Sequence, residues 1–288
     1  MCGLCGALVG QLPTRRVQDI DALADTFVRL LLASEHRGPH ATGVAWVKRD
    51  GAMQVTKEPL PARTFVQTGV FMDWLLGVDR QVTYLMGHTR WPSRGSVRNP
   101  DNNHPLVVSL RASVPMMKDC LASSQTGKQI ASLALTHNGT VAQPDHHFAQ
   151  MCLPRTAQVD SELLARIAQR HADEHGIDVE GFLDTLTPLE GSMSLALVAT
   201  NRPDEILLLK GNMPLEVRLH RRRRLLLYAS ESRILDAALG DDAGWEEMPV
   251  APGEALVINT AAIHAPRRWR FSFRGMARPS EWCRFTGE

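Results

Sequence analysis

Met1-Cys2-Gly3-Leu4-Cys5-Gly6-Ala7-Leu8-Val9-Gly10 opens the chain, and its reading decides the fold. Residues 4–9 are short, apolar and bounded by glycines, the pattern of a buried strand. A strand there anchors the terminus in a sheet and holds Cys2 at its edge. Cys2 is small, so removal of Met1 is expected. That removal would put a thiol and a free α-amine on one residue. An α-amine titrates at about 7.7–8.0, so it can act as general base for its own thiol. Cys2-Gly3-Leu4-Cys5 is also a C-x-x-C, but no second pair follows at zinc-ligand spacing. A strand rather than a helix follows it, which does not suit a redox motif. Cys5 reads instead as a small buried residue. No Lys or Arg precedes the apolar run, so no export signal is expected. Five scattered cysteines in such a chain read as reduced thiols in the cytoplasm.

Further along, apolar positions 20, 23, 24, 27, 30 and 31 make a helical stripe over 19–34. Gly38 and Pro39 stop it. Residues 42–47 and 52–56 read as a hairpin with an Asp-Gly turn. A helix is expected over 63–76, and a strand over 82–87 leads into a polar loop from His88 to His104. Strands are expected at 106–110, 132–136, 192–199, 205–210, 215–219, 225–229 and 255–258. Helices are expected at 161–171, 178–186 and 230–239, the last capped by Ser230. Residues 111–130 show no period and read as an excursion loop. Strand and helix do not alternate regularly, so a parallel doubly wound sheet is excluded. A layered α+β fold with mainly antiparallel sheets is expected.

The 288 residues carry 32 Lys plus Arg against 31 Asp plus Glu, a net charge of +1, so bulk charge draws in neither nucleic acid nor anionic lipid. No apolar run approaches the ~20 residues of a membrane span. The Arg221-Arg222-Arg223-Arg224 run reads as a solvated hairpin tip. Residues 264–288 are basic and aromatic and are expected as a tail outside the core, with 267–274 either an edge strand or a docking segment.

Several short stretches carry polar groups suited to chemistry. His36 and His40 stand at i, i+4, but Gly38-Pro39 breaks the helix that would bring them to one metal. The same turn can instead present Arg37 to the terminus. Arg90 and Ser93 follow a strand end, where an Arg fork suits a carboxylate. Asn138-Gly139 is either a hairpin turn or an oxyanion hole made of the side-chain amide and the Gly139 N–H. Asp160 precedes an apolar helix and reads as its N-cap, or as a partner for a ligand ammonium.

Met1-Cys2-Gly3, His36-Arg37-Gly38, Gly87-His88-Thr89-Arg90-Trp91, Asn103-His104-Pro105, His137-Asn138-Gly139 and Asp160-Ser161-Glu162 occur in this order. The series resembles the glutaminase domain of class II glutamine amidotransferases, the N-terminal-nucleophile hydrolases. It is closest in wording to the glutaminase half of glucosamine-6-phosphate synthase. Looser similarity at Glu190-Gly191-Ser192, Gly211 to Leu215 and Ala229-Ser230-Glu231 extends it to about Gly253.

The resemblance implies a four-layer αββα fold with two stacked, mainly antiparallel sheets. Residues 1–263 would form one glutaminase domain with an insertion near 111–130. It implies hydrolysis of the side-chain amide of L-glutamine to glutamate and ammonia through a thioester on Cys2. Asn138 and Gly139 would hold the oxyanion, and Arg37 would position the Cys2 terminus. Arg90 would bind the α-carboxylate with Ser93 beside it, Asp160 the α-ammonium, and Trp91 would wall the pocket. His104 is expected on the substrate side too. No cofactor and no metal are expected. The ammonia acceptor would be a synthase subunit on another chain.

Two departures from the family pattern, His40 and Arg94, add basic groups near the expected site. They open a second reading, an amidase acting on a γ-glutamyl or other small amide without ammonia transfer. A third is a non-catalytic regulatory subunit that keeps the fold.

Overall fold

The computed structural model describes residues 2–111 and 129–276. The first half runs β1 (Gly3–Val9), α1 (Val17–Ser34), β2 (Ala41–Lys48), β3 (Met53–Glu58), α2 (Ala62–Phe65), α3 (Gly69–Leu76), β4 (Val82–Arg90) and β5 (Leu106–Arg111). Then come β6 (Gln129–Val141), α4 (Pro144–Gln150), α5 (Ser161–Arg170), β7 (Ala172–Asp173), β8 (Gly176–Ile177), α6 (Val179–Leu186) and β9 (Gly191–Ala199). The chain continues through β10 (Glu205–Lys210), β11 (Glu216–His220), β12 (Leu225–Ala229), α7 (Ser232–Leu239), β13 (Glu246–Glu247), β14 (Glu254–Asn259) and β15 (Arg267–Arg270).

Among the described residues, one sheet has the order β13-β11-β12-β1-β4-β2-β3 and the other β15-β14-β10-β9-β6-β5. All their pairings are antiparallel. β1 is buried along its whole length because it is central and covered on both faces. Cys5, Ala7 and Val9 face α1 and α7, packing with Phe27, Leu31 and Ile234. Leu8 points the other way and meets Ala196, Val198 and Leu208 of the second sheet. The outer face of that sheet packs Leu195 and Leu197 on Leu163, Ile167 and Phe182 of α5 and α6. The layers are therefore α, β, β, α, and this is the α+β arrangement expected.

Several local expectations change. The helix over 63–76 is broken into α2 and α3, because Thr68 caps a new helix by accepting from Phe71 N at 3.3 Å. β4 runs on through His88, Thr89 and Arg90, so these residues lie on a strand rather than in the loop. β6 carries Asn138-Gly139 in its interior, paired to β9, so the hairpin reading is wrong. Glu231 rather than Ser230 holds the N-cap position of α7, without a side-chain cap bond; Ser230 instead accepts from Leu4 N at 2.8 Å and ties β12 to β1. Residues 264–276 do not leave the core: β15 extends the second sheet and Phe273 is buried, while the rest of the expected tail lies outside the described residues. Of the two readings for 267–274, the edge strand is the one formed. Cys152 is disulfide-bonded, against the expectation of reduced thiols throughout, whereas Cys2 and Cys5 are free. The expected insertion lies mostly outside the described residues. No helix among the described residues is long and apolar enough to cross a membrane.

Candidate active site

Strand register brings the site together. Gly3 of β1 lies opposite Thr89 of β4, and Ala41 of β2 lies opposite Arg90. Cys2, one residue before β1, is thereby set against the end of β4. Its Sγ lies 3.6 Å from the Trp91 carbonyl oxygen, to which it donates. The turn after α1 rests on the same strand end. A Cβ at Gly38 would lie 2.3 Å from the Arg90 carbonyl carbon and 2.5 Å from Trp91 N, so only glycine permits the approach.

That approach delivers Arg37. Its side chain is buried, and Nε donates to the Cys2 carbonyl oxygen at 2.8 Å. Nη1 is paired with Glu231 at the start of α7. Glu231 also pairs with His36 Nε2 at 3.0 Å and with Arg233. Burial opposes the charge on Glu231, but Arg233, Arg37 and His36 outweigh it and hold the carboxyl at about 2. Glu231 is a site component that residue-type reasoning did not single out, since Ser230-Glu231 reads as an ordinary helix start.

The second sheet contributes Asn138 and Gly139. Asn138 is fully buried. With its amide orientation assigned from its neighbours, Nδ2 donates to Cys2 O at 3.0 Å and Oδ1 accepts from Arg37 Nη2 at 3.2 Å. Two donors from two different elements thus hold one carbonyl, that of Cys2. Gly139 adopts φ +146°, and a Cβ there would fall 1.9 Å from Ser192 O. This left-handed backbone inside a strand is what a residue with a Cβ could not adopt.

Asp160 is buried but makes no side-chain cap for α5. Its Oδ2 accepts from Val141 N at 2.6 Å, so its carboxylate is held at the end of β6, and the cap reading falls. Arg90 donates from Nη1 to Asn103 Oδ1 at 2.7 Å and from Nη2 to Gly95 O at 3.0 Å and to Arg94 O. Arg90, Cys2 and Asp160 lie within electrostatic reach of one another. Burial pushes the Cys2 thiol above its ordinary value, and the Arg90 charge only partly opposes this. At neutral pH the sulfur is therefore a thiol that needs a base. Cys5 differs: burial raises it to about 12 and it is inert.

Trp91 is half exposed beside Cys2, and the His40 ring meets it edge-on at 4.9 Å. Ser93 is exposed on the loop beyond. Arg94 turns its side chain to Asp145 at 2.8 Å, which also pairs with Arg155. His104 is buried with its ring 4.2 Å from that of His88, and neither of its nitrogens has a partner among the described residues. His36 and His40 diverge, one to Glu231 and the other to Trp91. Three histidines thus form an interior group. His88 Nε2 donates to His137 O at 3.0 Å, and His137 Nδ1 meets Ser161 Oγ at 2.8 Å. Burial lowers His88 to about 3 and lowers His104 and His137, so all three are neutral near pH 7.

An αββα core with the nucleophile candidate at the start of a central strand defines an N-terminal-nucleophile hydrolase fold. Glutamine phosphoribosylpyrophosphate (PRPP) amidotransferase from B. subtilis shares it, with a TM-score of 0.65 at 21% identity, over 94% of this chain and 49% of that one. Among curated proteins, the chain is similar to glutamine–fructose-6-phosphate aminotransferase [isomerizing] of Streptococcus pyogenes serotype M1, 27% identical over 147 residues. That match covers 50% of this chain and 21% of the relative. The enzyme of the same name from Lactococcus lactis subsp. lactis (strain IL1403) is 24% identical over 222 residues, 76% of this chain and 30% of the relative. The chain therefore spans less than a third of the length of these curated relatives. No family model matches. In sequence the chain resembles the class II glutamine amidotransferases, and it shares their fold.

Proposed function

We propose that this chain hydrolyses the side-chain amide of glutamine to glutamate and ammonia, with Cys2 as nucleophile. The observation that carries the reading is the meeting of Arg37, Asn138 and Trp91 on the two ends of one residue, Cys2. Arg37 and Asn138 hold its carbonyl, and Trp91 accepts from its thiol. A residue held this way has its sulfur and its backbone nitrogen fixed relative to the rest of the site.

The proton balance follows from the thiol. Removal of Met1 frees the Cys2 α-amine, which takes the Sγ proton as sulfur attacks the amide carbon, directly or through one water. The carbonyl oxygen becomes an oxyanion, and the Gly139 N–H and the second N–H of Asn138 Nδ2 are its donors. The proton then passes to the departing nitrogen, the C–N bond breaks, and ammonia leaves a γ-glutamyl thioester. Water, deprotonated by the same amine, attacks the thioester and releases glutamate. Arg90 pairs with the substrate α-carboxylate and Asp160 with its α-ammonium, which fixes the side-chain amide over the sulfur. The ammonia then goes to an acceptor subunit, or simply to solvent.

A second reading rests on His40 against Trp91 at the exposed mouth. That pair adds an aromatic ledge that a γ-glutamyl amide with a larger leaving amine can use. The deciding experiment incubates purified protein with glutamine and with γ-glutamyl amides, and follows ammonia or amine release. Intact mass reports the mature N-terminus, and a glutamine-analogue electrophile reports the nucleophile. Loss of Met1, label on Cys2 and preference for free glutamine are expected. Preference for a γ-glutamyl amide moves the assignment to the second reading. Retention of Met1 with no label and no turnover leaves the regulatory-subunit reading.

A further inference from the structure

Lys57 lies on β3, the edge strand of the first sheet, and is opposite Gly43 of β2. Gly43 leaves room above β2: a Cβ there would fall 2.0 Å from His104 O and 2.9 Å from Lys57 Cγ. The 103–105 backbone sits in that space, directly on the strand. Lys57 reaches over it and donates from Nζ to Asn103 O at 3.0 Å and to Pro105 O at 3.2 Å. It forms no ion pair among the described residues. A partly buried ammonium is thus spent on two backbone carbonyls of one turn, an arrangement that a surface lysine without a task would not adopt.

The turn it holds carries Asn103, which is 2% exposed. Asn103 donates from Nδ2 to Val97 O at 2.6 Å and accepts from Arg90 Nη1 on Oδ1 at 2.7 Å. A continuous path therefore runs from the Lys57 ammonium through the Asn103 backbone and side chain to the Arg90 guanidinium. We infer that Lys57 is a positioning residue for substrate recognition: by fixing the turn at Asn103 it sets the pose in which Arg90 receives the α-carboxylate. This rests on the glutaminase reading of the site.

The electrostatics give the inference a second handle. Burial lowers Lys57 to about 8, with Asp101 pulling the other way. Of the other groups around the turn, His104 is neutral, and Arg90, on the far side of Asn103, stays charged throughout. As pH rises through about 8, the ammonium loses its charge and its hold on the two carbonyls weakens. Substrate affinity is then the quantity that falls.

Steady-state kinetics on glutamine test this with Lys57→Met, Lys57→Arg and the wild type. Lys57→Met raises KM by about tenfold or more while kcat stays within roughly twofold, because the chemistry at Cys2 is untouched. Its Cys2 is alkylated by iodoacetamide as fast as in the wild type, whereas labelling by a glutamine-analogue electrophile slows. Lys57→Arg keeps the charge and restores most of the affinity. Wild-type KM rises between pH 7 and 9, and in Lys57→Arg the part of that rise owed to Lys57 disappears. If Lys57→Met does not fold, the pH comparison of wild type and Lys57→Arg decides alone. An unchanged KM in Lys57→Met, or the same KM–pH profile in Lys57→Arg and wild type, overturns the inference while the glutaminase reading stands. A wild type inert to both glutamine and the electrophile overturns the glutaminase reading, and this inference with it.

Discussion

Arg37 Nε donates to the Cys2 carbonyl oxygen at 2.8 Å, although 35 residues separate the two. The bond holds the backbone of Cys2 against a buried guanidinium, which is itself locked to Glu231. Under the proposed function, fixing Cys2 removes conformational freedom that would otherwise have to be lost at every turnover.

Arg37→Lys is therefore not conservative. A lysine has one ammonium where three partners, Cys2 O, Glu231 and Asn138, are now served by a planar fork. The expected result is a fall in kcat of about 10- to 100-fold with a smaller change in KM. Rates of ammonia release at saturating glutamine check it. Glu231→Gln keeps the shape and loses the charge, and its effect on kcat is expected in the same direction but smaller.

Asp160→Asn separates ligand binding from folding. An asparagine Oδ1 can still accept from Val141 N, the hydrogen bond the carboxylate makes among the described residues. What is lost is the negative charge offered to the α-ammonium. KM for glutamine is expected to rise about 10- to 100-fold, with the thermal midpoint little changed. Equal KM values for variant and wild type would remove Asp160 from the substrate pocket.

Gly139→Ala tests the backbone inside β6. The residue sits at φ +146° with no room for a methyl group beside Ser192 O. Relieving that clash must move β6 from β9 at the oxyanion candidate. A loss of roughly 2–4 kcal/mol in urea unfolding is expected, with activity falling further than stability alone accounts for.

Acid sensitivity follows from the interior histidines. In the folded chain His88 is lowered to about 3 by burial, against an ordinary value of 6.5. Between those two values the unfolded chain binds the proton and the folded chain does not. Stability is thus fully present above about pH 6.5 and declines as pH falls toward 3. His88 alone contributes on the order of 5 kcal/mol across that window, and His137 acts in the same direction. Glu231, held at about 2, adds a loss that begins only below pH 4.5. Urea midpoints at pH 7.5, 6.5 and 5.5 check the first part. A midpoint that stays level down to pH 5.5 would contradict it.

Residue pattern alone determined that 4–9 is a buried strand, that 19–34 is a helix with one apolar stripe, and that the fold is layered α+β. It also placed Cys2 at the head of that strand, because apolar periodicity and glycine boundaries are local properties. Tertiary structure alone decided which polar residues meet. Asn138-Gly139 has the sequence of a hairpin turn, yet pairing with β9 draws it into a strand. Asp160 has the sequence of a cap, yet Val141 N takes its carboxylate. Residue type gave Glu231, Asn103 and Lys57 no role, although the first two stand in stretches that carry the resemblance, since their contacts run across 194, 13 and 46 residues of chain. Such contacts depend on sheet register and layer stacking, which no short stretch encodes.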